Sequence, residues 1–280
     1  MASAEHLVGL IKRELRDLPE NHRDREIIES TLLSLRVRLA NRRDHQLRVG
    51  SVQDYKEDPH NPEKLTQMWR DIWETWSAGK VTVPLIHQSP FTESSLKGMS
   101  GNFPLYIPGG YSDSSAFYNE LPEIFPKLDL NAQVQVARKS GVALVGNEMY
   151  QNGWMTAENY FSSPNKGFKP EDVDRLTKNI VRQGMTINTY IIASQFSHMT
   201  RGWYFDCDSS SPDYDGYSRI GIPTSSYLLG SYYRKSFGEE PQDFYLRASF
   251  NNEGELYLSA DERLVQAESV GLRTVWMPNS

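Results

Sequence analysis

Thiol chemistry is nearly absent from this sequence, since Cys207 is its only cysteine. No internal disulfide can form, and no cysteine-based zinc site can be built. An intracellular, reducing compartment is the expectation that follows. Long hydrophobic runs are missing too. The longest, Gly141 to Gly146 and Tyr190 to Ala193, fall far short of the ~20 apolar residues a membrane helix needs. The opening Met1-Ala2-Ser3-Ala4-Glu5-His6 has no basic start leading into an apolar stretch, so no signal peptide is read. A soluble protein with no membrane partner is expected.

The common catalytic signatures are also lacking. There is no phosphate loop, dinucleotide glycine fingerprint, His-Glu-x-x-His or Gly-x-Ser-x-Gly. The histidines, His6, His22, His45, His60, His87 and His198, lie far apart, and none has a partner at metal-ligand spacing. No metal site is read from them. Basic residues are outnumbered, 30 to 36, giving a net charge of -6. Residues 1–50 carry an excess of positive charge, and the rest of the chain is acidic. That balance argues against nucleic acid as the main partner.

What is present suffices for a core, with 38% hydrophobic and 11% aromatic residues. Leu7, Leu10, Ile11, Leu15 and Leu18 recur on one helical face, and after Pro19 the series Ile28, Leu32, Leu35, Leu39 continues it. These predict an N-terminal helical hairpin, with Arg36, Arg38, Arg42, Arg43 and Arg48 on a solvated end. After a polar stretch from Gly50 to His60, Asn61-Pro62-Glu63 makes a helix start, because Asn caps, Pro suits the first turn and Glu complements the dipole. Leu65, Met68, Trp69, Ile72, Trp73 and Trp76 follow on one stripe, and Gly79 ends it. Three tryptophans on one helix suit a ligand platform or core packing against the hairpin, and core packing is the reading taken.

From Val81 to Pro126 the chain is rich in Pro, Gly and Ser, which predicts irregular connections with short strands around Val81–Ile86 and Leu105–Ile107. Helices are expected over 129–139 and from Pro170 to Gln183, with a buried strand from Gly141 to Gly146. From Met185 onward the period is read as two. Met185 to Phe196 is expected to be a long strand, and Tyr217 to Ile222 extended. Asp243 to Phe250 alternates strictly, Asn251-Asn252-Glu253-Gly254 turns, and Glu255 to Ser259 returns as a hairpin. Two more extended segments are expected, Arg263 to Val270, with a helix as its alternative, and Leu272 to Met277.

Candidate chemistry is sparse. Asp206, Asp208, Asp213 and Asp215 lie within a stretch from Trp203 to Ser218 that has no basic residue. Hard cations take such oxygens, but the EF-hand's central Gly and closing Glu are missing. A solvated acidic loop is the reading taken. Cys207 between two carboxylates makes a poor thiolate. Asn147-Glu148 ends a strand, as in some glycosidases, without the eight βα units of that barrel.

A fuller constellation lies later. Arg201-Gly202 sits in a segment read as extended, Thr224-Ser225-Ser226 follows another, and Glu253-Gly254-Glu255 opens the return strand of the hairpin. This order resembles the arginine, Ser-Thr-Ser and Glu-x-Glu pattern of ADP-ribosyltransferases over about 60 residues. Here the middle motif reads Thr-Ser-Ser, and Arg182 and Arg219 compete with Arg201 for the first role. The resemblance implies NAD as cofactor, its phosphates on Arg201. Ser225 would orient the nicotinamide ribose. Glu255 would stabilise the oxocarbenium-like centre, and Glu253 would orient or deprotonate the acceptor.

The expected architecture is α+β, a helical hairpin and Trp-bearing helix followed by a β-rich, antiparallel C-terminal portion. It divides as 1–79 helical, 80–184 mixed and 185–280 β-rich, with one continuous domain as the other possibility. Two function classes follow. One is a non-catalytic protein-protein interaction or assembly protein, meeting a protein partner or itself through its helices and a tyrosine-rich surface of Tyr204, Tyr214, Tyr217, Tyr227, Tyr232 and Tyr233. The other is NAD-dependent ADP-ribosyl transfer.

Overall fold

The computed structural model describes residues 51–59, 61–77, 79–91, 102–111, 121, 124–125, 143–146, 153–158, 163–169, 172–173, 182–207, 224–237, 240–251, 254–264, 266–267 and 269–277. The chain divides into two compact units, Met1–Asp54 and Tyr55–Ser280, and the elements below belong to the second. The N-terminal hairpin, the 129–139 helix and the segment Tyr217 to Ile222 lie outside the described residues. The fold is α+β with a β-rich C-terminal part. Among the described residues, no helix is long and apolar enough to cross a membrane.

Helix α1, Pro62–Ser77, starts where the sequence says it should. The Asn61 side-chain oxygen accepts from the backbone N–H groups of Glu63 and Lys64 at 3.0 and 3.1 Å. Gly79, at φ +79, closes its end. Trp69 and Trp73 are fully buried. Their neighbours are strand β1, Asn102–Tyr106, together with Tyr111 and Phe196. Both indoles donate to β1 carbonyls, Trp69 to Pro104 at 3.2 Å and Trp73 to Tyr106 at 3.0 Å. Four residues along a helix rise about 6 Å, and two along a strand rise nearly 7 Å. The two tryptophans therefore match alternate carbonyls and serve as the strand's missing neighbour.

The chain leaving α1 forms no strand at Val81 to Ile86, contrary to expectation. Its backbone is instead held by α1 side chains. Ser77 accepts from Val81 N, Arg70 donates to Val83 O at 2.9 Å, and Thr66 accepts from Ile86 N.

Two sheets follow. In the first, β1 pairs with β3 (Trp154–Glu158), β3 with β9 (Thr274–Trp276) and β9 with β4 (Arg182–Gly184), all antiparallel. The second runs β2 (Ala143–Gly146), β5 (Ser225–Phe237), β6 (Glu240–Phe250), β7 (Leu256–Asp261), with β8 (Val270–Leu272) parallel to the start of β5. The β6–β7 hairpin has the expected turn, in which Gly254 adopts φ +91 against the Tyr204 hydroxyl. Strand β4 occupies Arg182 to Gly184, so the helix expected from Pro170 cannot reach Gln183. Of the two late extended segments, the strands cover only 270–272 and 274–276.

The largest departure is Met185 to Phe196. It contributes to a helix, α2 (Ile187–Arg201), and not a strand. Thr186 caps it by accepting from Thr189 N at 3.2 Å, and Gly202 ends it at φ +86, donating to His198 O. Ile187 to Ser194 are buried without interruption. A helix enclosed on every side needs no polar face, so its 3.6-residue period vanishes, and the β-branched Thr186, Ile187, Thr189, Ile191 and Ile192 read as strand. One end packs on the second sheet, where Tyr190 stacks on Phe250. Phe196 stacks on Phe103 of the first.

Among the described residues, two junctions join the sheets. Strand β5 is bulged: the four residues between Tyr227 and Tyr232 oppose the single Leu246 on β6. Gly230 of that bulge donates to Met185 O at 3.0 Å, and a Cβ there would lie 2.5 Å from Gly184 O. The second junction is Arg273, the one residue between β8 of one sheet and β9 of the other.

Replacing Trp73 by Phe keeps an aromatic ring but removes the indole N–H and orphans the buried Tyr106 carbonyl. A loss of about 1–3 kcal/mol is expected. Urea unfolding of the variant beside wild type measures it, and an unchanged midpoint would contradict the edge-capping role.

Candidate functional site

Asp206 is not part of a solvated acidic loop: it is 1% exposed, at φ 55, a left-handed conformation aspartate tolerates. Its carboxylate forms a fork with Arg273. Nε donates to Oδ2 at 3.0 Å and Nη2 to Oδ1 at 3.1 Å, both side chains being at zero exposure. Thr224 donates to Oδ1, and Ser226 and Tyr190 donate to Oδ2 at 2.7 and 3.0 Å. Ser226 commits its single proton to Asp206, so the Ser163 hydroxyl is the donor of their 2.7 Å contact. Arg273 Nη1 reaches Glu158 O, and its plane lies 3.9 Å from the Phe205 ring centroid. This network is sealed from solvent and acts as architecture. Asp208, Asp213 and Asp215 lie outside the described residues.

Of the ADP-ribosyltransferase-type residues, Arg201 is the exposed last residue of α2, not part of an extended segment, and its guanidinium lies 5.6 Å from the Trp203 ring centroid. Thr224 belongs to the buried network. Ser225 opens β5, half-buried, its N–H donating to Ser269 O. Glu255 sits in the β6–β7 turn, where Tyr257 donates to its Oε2 at 2.6 Å and Asn251 at 2.9 Å. Glu253 lies outside the described residues. Ser226, Ala248 and Leu258 are register partners on the inner face, which places Ser225 and Tyr257 on the opposite one.

Arg182, the competing arginine, is held elsewhere. It donates to Glu158 Oε1 at 3.0 Å and to the Thr274 hydroxyl at 2.9 Å.

Among the described residues, the outer face of the five-stranded sheet carries the most exposed aromatic side chains. Tyr245 and Tyr257 are 40% and 42% exposed there. Arg234 grips Asp243 through both oxygens at 2.8 and 2.9 Å and lies over the Tyr232 ring. Those bonds hold the Asp243 carboxyl below its usual range. Arg247 pairs with Asp261 at 3.4 Å and bonds Ser259, while Tyr227 donates to Asp261 at 2.7 Å. The tyrosines named from sequence behave differently: Tyr204, Tyr227 and Tyr233 are buried, and Tyr232 is half-buried. Tyr214 and Tyr217 lie outside the described residues. Strict alternation along β6 and β7 is the signal that singles out Tyr245 and Tyr257.

Among the described residues no cluster of His, Cys, Asp and Glu could hold a metal ion. The chain matches no protein-family model, no curated protein and no solved structure.

Burial, with the neighbouring Cys207 charge behind it, pushes the Tyr204 hydroxyl up to about 12, and burial alone does the same for Tyr55. Tyr190 is raised further by burial and by the charge of Asp206. In the unfolded chain these phenols ionise near pH 10. Their contribution is therefore whole below about pH 10 and declines as pH rises towards about 12. Urea midpoints from neutral to alkaline pH should fall across that interval, and a flat profile would contradict it.

Proposed function

We propose that the chain is a non-catalytic interaction or assembly protein that meets a protein partner, or a second copy of itself, through the outer face of its five-stranded sheet. The observation that carries this reading is the pair Tyr245 and Tyr257, both exposed on a face whose arginines are locked to aspartates. Tyrosine joins an apolar ring to a hydrogen-bonding tip and loses little rotamer freedom on contact, which suits it to protein interfaces. The paired Arg234–Asp243 and Arg247–Asp261 fit a polar rim that fixes orientation. Because each arginine already has its counter-ion, this face offers little to a phosphate backbone.

ADP-ribosyl transfer with NAD is the competing reading, and Ser225 and Tyr257-bonded Glu255 belong to this same face. Its chemistry would need a carboxylate that leaves the Asn251 and Tyr257 bonds for the ribose.

Light scattering across a concentration series, with NAD turnover on the same samples, separates the two. The proposal expects association that Tyr245→Ala/Tyr257→Ala weakens tenfold or more, about 1.4 kcal/mol, and no nicotinamide release. A monomer at every concentration whose NAD turnover disappears in Glu255→Gln would overturn it in favour of the enzyme.

A further inference from the structure

One row of side chains crosses the four-stranded sheet. Arg182 and Thr156 both pair with Trp276, one on each side, and Pro104 pairs with Thr156. Residues directly opposite one another share a face, with Cβ atoms roughly 4.5–5.5 Å apart. Two groups in this row, Trp276 Nε1 and Thr156 Oγ1, are out of solvent and have no hydrogen-bond partner among the described residues. Buried polar groups are almost always paired, so two orphans in cross-strand neighbours require a common explanation.

Their surroundings restrict the answer. The Arg182 guanidinium lies 4.9 Å from the Trp276 ring centroid, with Nη2 on Glu158 and Nε on Thr274. The other Glu158 oxygen accepts from Thr274 N at 2.9 Å. Charge on this flank is thus already balanced, which disfavours an ion. The indole can only donate and the threonine hydroxyl can donate or accept. An oxygen that accepts from the indole and bonds the hydroxyl satisfies both. Arg182, 16% exposed, marks the solvent side.

We propose that Thr156 and Trp276 together bind one uncharged oxygen, carried either by a resident water or by a hydroxyl of a small polyol entering past Arg182. The site is independent of the outer face of the five-stranded sheet.

Indole NMR of the full chain tests this, with Trp276→Phe identifying the Trp276 signal among the six tryptophans. The Trp276 indole proton should show a cross-peak to a long-lived water, or a saturable shift on titration with glycerol. A cross-peak that glycerol leaves intact assigns water, and a saturable glycerol shift assigns the polyol hydroxyl. Thr156→Val should abolish whichever signal is seen, and Thr156→Ser should retain it. A Trp276 indole with neither signal in the wild type, or with a signal that Thr156→Val leaves unchanged, overturns the proposal.

Discussion

A carboxylate and a guanidinium removed completely from water lose several kcal/mol of hydration each, on the order of what their attraction returns. The pair persists only if the remaining lone pairs and N–H groups are also satisfied. Asp206 and Arg273 meet that condition through Thr224, Ser226, Tyr190 and the Glu158 carbonyl. Those partners come from the entry and start of β5, the first turn of α2 and the end of β3. One ion pair thereby gathers both sheets and the central helix at one point.

The topology explains why the charge sits there. The chain crosses from β8 in one sheet to β9 in the other within a single residue, so Arg273 stands where two ladders end. Its backbone still bonds both sides, donating to Tyr227 O and accepting from Met185 N. Its long side chain fills the corner beneath Phe205 and Tyr190. Nearby, Gly230 and Gly184 let the sheets approach at the β5 bulge, and Gly271 lies where any Cβ would overlap Pro164 and Ser163.

The sequence was most legible where one face meets solvent. Helix α1 kept its cap, stripe and stop signal, and the β6–β7 hairpin kept its alternation, because each separates an inside from an outside. Legibility failed where burial is complete. Helix α2 lost its period to enclosure, and β5 lost its alternation to the bulge at Tyr227 to Tyr232. The buried network had one available signal: Arg273 interrupts the apolar run Val270 to Trp276, and Asp206 lies between Phe205 and Cys207. A charge inside an apolar stretch calls for an opposite charge, but sequence does not say which one. Of the ADP-ribosyltransferase-type pattern, Thr224 and Ser226 belong to this network. Arg201 ends a helix, outside any strand, because the segment before it is α2.

The dependence of the fold on this pair is tested most directly by a double-mutant cycle in urea with Asp206→Asn, Arg273→Met and their combination. Each single variant should lose about 3–5 kcal/mol by stranding its partner, and the double should lose much less than their sum. Additive losses, or single losses below about 1 kcal/mol, would contradict the account.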